Sequence, residues 1–234
     1  MFETARADEI RRLQDRIRGM QRTRLADRTL PTSEAIAELL PEGALVAGGS
    51  YAVDGSTALA LELLREPSRA GAWCAVVGMP DLGIEAAAAA GLDLTRLVLV
   101  PQPGEQWFPV VSALVDAVAV VLVQPPARAR VGEAAAGRLA ARLRQREAVL
   151  VAMRDWPRAH ARLEIAESDW AGLGAGFGHL AARQVTVASS SPAWAGRTRS
   201  RRLWLPDAAG AVSPVVARAP GETAAVPAPL RALG

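Results

Sequence analysis

Between residues 44 and 153, short apolar runs alternate with longer segments of helical periodicity, and this alternation limits the fold more than any other feature of the chain. The runs are 44–48, 73–78, 97–100, 117–123 and 148–153, with a later one at 185–188. They are almost continuously apolar, which is the pattern of strands covered on both faces, as in a parallel sheet. Helix candidates lie between them at 57–65, 82–90, 105–116 and 132–146. The alternation predicts an α/β fold with a mostly parallel central sheet flanked by helices. A chain of 234 residues has room for one such domain with appendages.

The two ends read differently. Residues 1–28 are expected to form a basic amphipathic helical arm. Ile10, Leu13, Ile17 and Met20 recur at three- and four-residue steps and share one face, while Arg11, Arg12, Arg16, Arg18 and Arg22 occupy the rest. Such an arm either packs its stripe on its own domain or docks on a partner. Residues 29–212 form the predicted core, within which 154–184 read as a long loop and a short helix. Residues 195–206 read as a basic turn and an edge strand. Residues 213–234 are mostly Pro, Ala and Gly and are expected to be a disordered tail.

No apolar run reaches the roughly 18 residues of a membrane span. The opening FETARADEIRRLQDRIR has no apolar core of a secretory signal. Cys74 is the single cysteine, so no internal disulfide forms, and a cytoplasmic location is expected.

All 27 basic residues are arginine. Chemistry that needs a lysine, whether Schiff base, general base or phosphate clamp, is therefore closed to this chain. The point bears on GGSYAVDGSTALALELL, residues 48–64, which has the layout of a strand, a Gly-rich turn and a helix. A phosphate loop reads G-x-x-x-x-G-K-[ST]; its backbone N–H groups hold phosphates, its lysine neutralises charge and its hydroxyl ligates magnesium. The matching window runs from Ser50 to Thr57. Gly55 and Thr57 fit, but Ser50 replaces the first glycine and Ser56 replaces the lysine.

Around this window the chain resembles the RecA recombinase family. The resemblance is carried by LPEGALVAGGS, by GLDLTRLVLVPQPGEQ with its Gly104-Glu105-Gln106 triplet, and by VDAVAVVLVQPP, over residues 40 to 190. It implies a RecA-like core and a nucleotide site whose key positions have been replaced. The lysine position falls on Ser56, the water-activating glutamate near Pro80 and the magnesium-associated aspartate on Gln124, with Thr57 the lone survivor. Each lost electrostatic contributor typically costs on the order of 3 kcal/mol of transition-state stabilisation. The resemblance therefore implies a protein that is not an ATPase and carries neither cofactor nor metal.

Among RecA-like proteins, the chain is similar to the ImuA-type (ImuA-prime) accessory factors of damage-induced mutagenesis. This implies a non-hydrolysing scaffold in translesion synthesis that binds an ImuB-like polymerase homologue, with RecA or a second copy as further partners, cytoplasmic and at the nucleoid when in complex. SulA, the cell-division inhibitor, shares the RecA-like core and gives a second role. An atypical nucleotide-binding ATPase and a DNA-binding regulator are two more roles open to such a chain.

The arm stripe Ile10, Leu13, Ile17 and Met20 is the first candidate for partner docking. Arg197, Arg199, Arg201 and Arg202, between Trp194 and Trp204, are the candidate DNA contacts, since arginines neutralise phosphates and aromatics stack on bases. A solvated hairpin with inward tryptophans is the competing reading. His160 and His179 stand apart from any Cys or carboxylate at ligand spacing, so no metal site is expected. Trp107 and Phe108 read as core, and Cys74 as a small buried hydrophobe.

Overall fold

The computed structural model describes residues 29–171, 182–207 and 210–215. In these, eleven strands and five α-helices follow in the order β1 (Thr29–Leu30), α1 (Glu34–Ala37), β2 (Leu45–Val46), β3 (Ser50–Asp54), α2 (Thr57–Arg69), β4 (Cys74–Val77), α3 (Ile84–Ala89), β5 (Leu97–Val100), α4 (Trp107–Leu114), β6 (Val120–Val123), α5 (Glu133–Arg146), β7 (Val149–Met153), β8 (Ala161–Ala171), β9 (Ala182–Ser190), β10 (Thr198–Trp204) and β11 (Ser213–Pro214). Nine of the strands form one mixed sheet in the order β11-β10-β9-β8-β3-β7-β6-β4-β5. From β8 to β5 every neighbouring pair is parallel, and from β8 to β11 every pair is antiparallel. The chain is therefore α/β with a mostly parallel sheet, as its apolar runs predict.

Those runs are continuous because both faces are covered. Tyr51, Val53, Val76, Leu122 and Val151 project into one core, with Ile36 and Leu39 at α1 and Leu59, Leu63 and Leu64 of α2. Their strand neighbours Ala52, Ala75, Val77, Val121, Val123 and Leu150 project into a second core, under α4 and α5, with Trp107, Val111, Leu139 and Leu143. The two-residue period of a strand thus assigns alternate residues to opposite helical layers.

Several boundaries differ from the sequence expectation. The run 44–48 is not a strand of the main sheet. Its residues 45 and 46 pair with Thr29 and Leu30 in a separate two-stranded ribbon. The central strand is instead Ser50–Asp54, parallel to β7 on one side and β8 on the other. Gly48 enters it at φ +82, and a Cβ there would meet Arg144 Cα at 2.8 Å, so the close approach of α5 requires glycine.

Residues 154–184 also fold otherwise than expected. Seven residues after β7 cross back to the amino end of β8, burying Trp156 and Ala159 in the second core. From there β8 and β9 run as a long antiparallel pair through Ala171↔Ala182. The predicted tail begins with order: Ser213–Pro214 pairs with Leu203 and Trp204. The arm 1–28, His179 and residues 216–234 lie outside the described residues.

Candidate functional site

In open α/β sheets, ligands bind outside the carboxyl ends of the strands, where successive connections depart to opposite faces. Here that point lies between β4 and β6. Leu82, Ala90 and Leu92, flanking α3, pack into the first core, whereas α5 packs into the second. Gly78 ends β4 at φ +78, and its N–H donates to Val100 O at 2.9 Å. The Gln124 N–H donates to Val77 O at 2.9 Å, and a Cβ on Gly78 would lie 2.3 Å from Gln124 O. The two strand ends are therefore in backbone contact.

The fold gathers Gly55, Ser56, Thr57, Pro80 and Gln124 on this carboxyl edge, each just beyond its strand. It does not gather Ser50. That residue begins β3, at the amino end, where its N–H donates to His160 Nδ1 at 3.3 Å and its C=O accepts the His160 N–H at 2.7 Å. The eight-residue window Ser50–Thr57 is therefore not a loop. Five of its residues are the central strand, buried except for Asp54, and only Gly55 and Ser56 join it to α2.

This short connection is closed by its own side chain. Gly55 turns the chain at φ +68. Ser56 is extended, at φ −143 and ψ 103, and its Oγ accepts the Leu59 N–H at 3.2 Å. That is the N-cap geometry of serine, which satisfies one of the orphan donors of the first helical turn. Ser56 is 4 % exposed, so its hydroxyl is buried against the first turn of α2.

The charged groups along this edge fit the same picture. Asp54 and Asp81 are exposed, and Asp155 pairs with Arg162. Glu133 pairs with Arg158 at 2.7 Å. Arg154 N–H continues the ladder by donating to Val53 O at 2.8 Å, while Arg128 and Arg130 form no ion pair among the described residues. No cluster of His, Cys, Asp or Glu able to hold a metal ion occurs among the described residues.

The candidate DNA contacts are dispersed by the strand that carries them. Arg199 stacks on the buried Trp194, 4.3 Å from the ring centroid, and donates to Glu38 O at 3.1 Å. Arg201 donates to Glu34 O at 2.6 Å and lies 3.7 Å from the Glu38 carboxylate. Both thus hold α1 against β10. Arg202, one residue out of phase, faces Glu167 at 3.8 Å on the other side of the sheet. Arg197 alone of the four makes no side-chain bond among the described residues. The four arginines do not form one basic patch.

His160, Cys74 and the aromatic pair have structural surroundings. Partial burial, with Arg144 adding to it, lowers the His160 pKa, so the neutral ring accepts from Ser50. Burial pushes the Cys74 thiol up to about 12, which removes its reactivity at neutral pH. Trp107 is buried in the second core with Phe108 edge-on at 5.4 Å. No helix among the described residues is long and apolar enough to cross a membrane.

Against this geometry stand the similarities to other proteins. Residues 38–158 match the family model described as the MT3502 N-terminal domain. The protein Rv3395c of Mycobacterium tuberculosis, described as uncharacterized, is 35% identical over 129 residues, 54% of this chain and 63% of that protein. The chain thus spans less than two thirds of that relative's length. Among solved structures, SulA from Pseudomonas aeruginosa aligns with TM-score 0.39 and 18% identity, over 46% of this chain and 98% of that one.

Proposed function

We propose the following function for this chain, which belongs to the MT3502 N-terminal domain family: it is a non-hydrolysing scaffold with a RecA-like core, working in DNA damage tolerance by binding other proteins. The observation that carries the reading is the two-residue connection Gly55–Ser56. In a phosphoryl-transfer enzyme, catalysis rests on positioning and charge stabilisation around a phosphate-cradling loop. Here the corresponding stretch is sheet backbone, and the helix N-terminus is occupied by the Ser56 hydroxyl. The neighbouring strand ends, Gly78-Met79-Pro80 and Gln124-Pro125, offer neither a carboxylate nor a cation.

On this reading the mode of action is binding. The partner on this reading is an ImuB-like polymerase homologue, engaged through the stripe Ile10, Leu13, Ile17 and Met20. The bonds of Arg199, Arg201 and Arg202 within the fold favour protein over DNA as the ligand. The test is co-purification of the full chain with the ImuB-like protein of its own genome. A stoichiometric complex is expected, and replacing Leu13 and Ile17 by Asp should lower its yield at least tenfold while leaving the core folded. A complex indifferent to those replacements would refute the docking surface. Absence of any complex would refute the mutasome role.

A further inference from the structure

A groove of about 460 Å³ runs along the outer side of α2, walled by α3 and by the segment that follows β10. Thr57, Ala58 and Leu61 form its floor, Ala86 and Ala89 one side, and Leu205, Pro206 and Val212 the other. The wall contributed by α3 is Ala86 and Ala89, whose small side chains admit a helix at close range. Among these apolar residues stand one carboxylate, Glu62, and one cation, Arg65. Glu62 lines the groove with its side chain 2 % exposed, and its Oε1 has no hydrogen-bond partner. Its other oxygen is held by Arg65, at 3.4 Å, Arg65 is shared with Glu66, and the Ser33 hydroxyl, itself without another partner, lies beside the carboxylate and acts to lower its pKa. Burial raises the Glu62 pKa. A buried carboxylate held by so few groups gains from a further cation or donor.

We infer that this groove is the seat of the chain's own N-terminal arm, whose apolar stripe Ile10, Leu13, Ile17 and Met20 covers α2 while an arginine of the arm pairs with Glu62.

Three observations favour this occupant. The first is length. As a helix, residues 10–20 span roughly 15 Å, against roughly 12 Å for the α2 wall from Thr57 to Arg65. The second is reach. The described chain begins at Thr29, four residues before Ser33, and Ser33 lies beside Glu62 as one of the groups acting on its pKa. The residues between Met20 and Thr29 can bridge up to roughly 30 Å, enough to bring the stripe back over the groove. The third is charge. Between Ile10 and Met20, Arg11, Arg12, Arg16 and Arg18 stand against Asp15 alone. At the last described residue, the Val215 N–H donates to Arg202 O at 3.1 Å, alongside β10.

The arm stripe is also the surface proposed above for partner docking. Seated in the groove, it is sheltered until a partner draws it out. The seat itself does not depend on that partner's identity, and it is tested on the full chain alone. Leu13→Cys is combined with Ala86→Cys, and separately Ile17→Cys with Ala89→Cys. The control combines Leu13→Cys with Ala141→Cys, an exposed position on α5 across the sheet. Cys74 is buried and stays in place.

Under mild oxidation, both groove pairs should close an intrachain disulfide in the monomer at least tenfold faster than the control. Peptide mapping identifies the bond. Glu62→Gln, added to the first pair, should slow closure severalfold. Equal rates for groove and control pairs, or disulfides found only between two chains, would overturn the inference. An unchanged rate with Glu62→Gln would overturn the pairing of Glu62 with an arginine.

Discussion

Replacing Ser56 tests whether the Gly-rich turn is a helix cap or a phosphate site. The Ser56 Oγ accepts the Leu59 N–H at 3.2 Å, and both groups are buried. Ser56→Ala removes the acceptor and leaves a buried N–H without a partner, at a cost of about 1–2 kcal/mol. In a chain of this size each kcal/mol lowers Tm by about 2–4 °C, so a fall of roughly 2–8 °C is expected. Ser56→Asn keeps a capping oxygen and should stay within about 0.5 kcal/mol of the parent. Ser56→Lys supplies the residue a phosphate loop requires. It also loses the cap and places a cation where Ser56 is 4 % exposed, so it should lose at least as much as Ser56→Ala. Urea unfolding at pH 7 gives the energies, and thermal scans with and without magnesium ATP give the binding. A neutral Ser56→Ala would refute the cap. A gain of stability by Ser56→Lys on adding nucleotide would refute it equally, because the connection would then open into a cradle.

Two further outcomes follow from local geometry. Gly78→Ala places a Cβ 2.3 Å from Gln124 O at a backbone φ of +78. It should lose roughly 3 kcal/mol in urea unfolding through strain and overpacking, and a neutral result would mean that the ends of β4 and β6 are not in contact. His160 is held neutral, with its folded pKa below the 6.5 of the free side chain. The unfolded chain therefore takes up the proton first as pH falls. Stability is full above about pH 6.5 and declines as pH drops toward the folded pKa. His160→Gln should flatten that part of the stability profile, and an unaltered profile would show that another group is responsible.

Much of the parallel sheet is legible in the sequence because strands buried on both faces announce themselves. The runs at β4, β5, β6 and β7 contain little besides Val, Leu and Ala, and each begins within three residues of its observed strand. The central strand is not legible in this way. Its Ser-Tyr-Ala-Val-Asp carries three apolar residues and follows two glycines, so local turn chemistry outweighs the burial that only the flanking β7 and β8 supply. That displacement moves the expected site with it, since a strand ending at Gly48 leaves an eight-residue loop before Thr57 where the protein has two residues.

The strand β8 escapes notice for a different reason. Leu163 and Ile165 alternate with Arg162 and Glu164 in the period of a half-buried strand, but charges and tryptophans on either side mask the pattern. Ser56 stands out in the sequence as a lost lysine, yet its role as a cap is equally visible there: a serine directly before the apolar-periodic helix is an ordinary start signal. Glu62 gives no such signal. A glutamate on a helix is usually solvent-facing, and only the packing of α1, α3 and the segment after β10 buries it.

The claim that this fold has no working phosphate site is tested most directly by titrating the unmodified full chain with magnesium ATP and magnesium ADP in a calorimeter, with a parallel thermal scan. No heat of binding and no change in Tm at millimolar nucleotide are expected. A ligand present at a hundred times its Kd stabilises the folded state by about 2.7 kcal/mol. In a chain of this length that is a rise of roughly 5–11 °C. A shift of that size, abolished by Ser56→Ala or Gly55→Ala, would place nucleotide at the Gly55–Ser56 connection and contradict the claim.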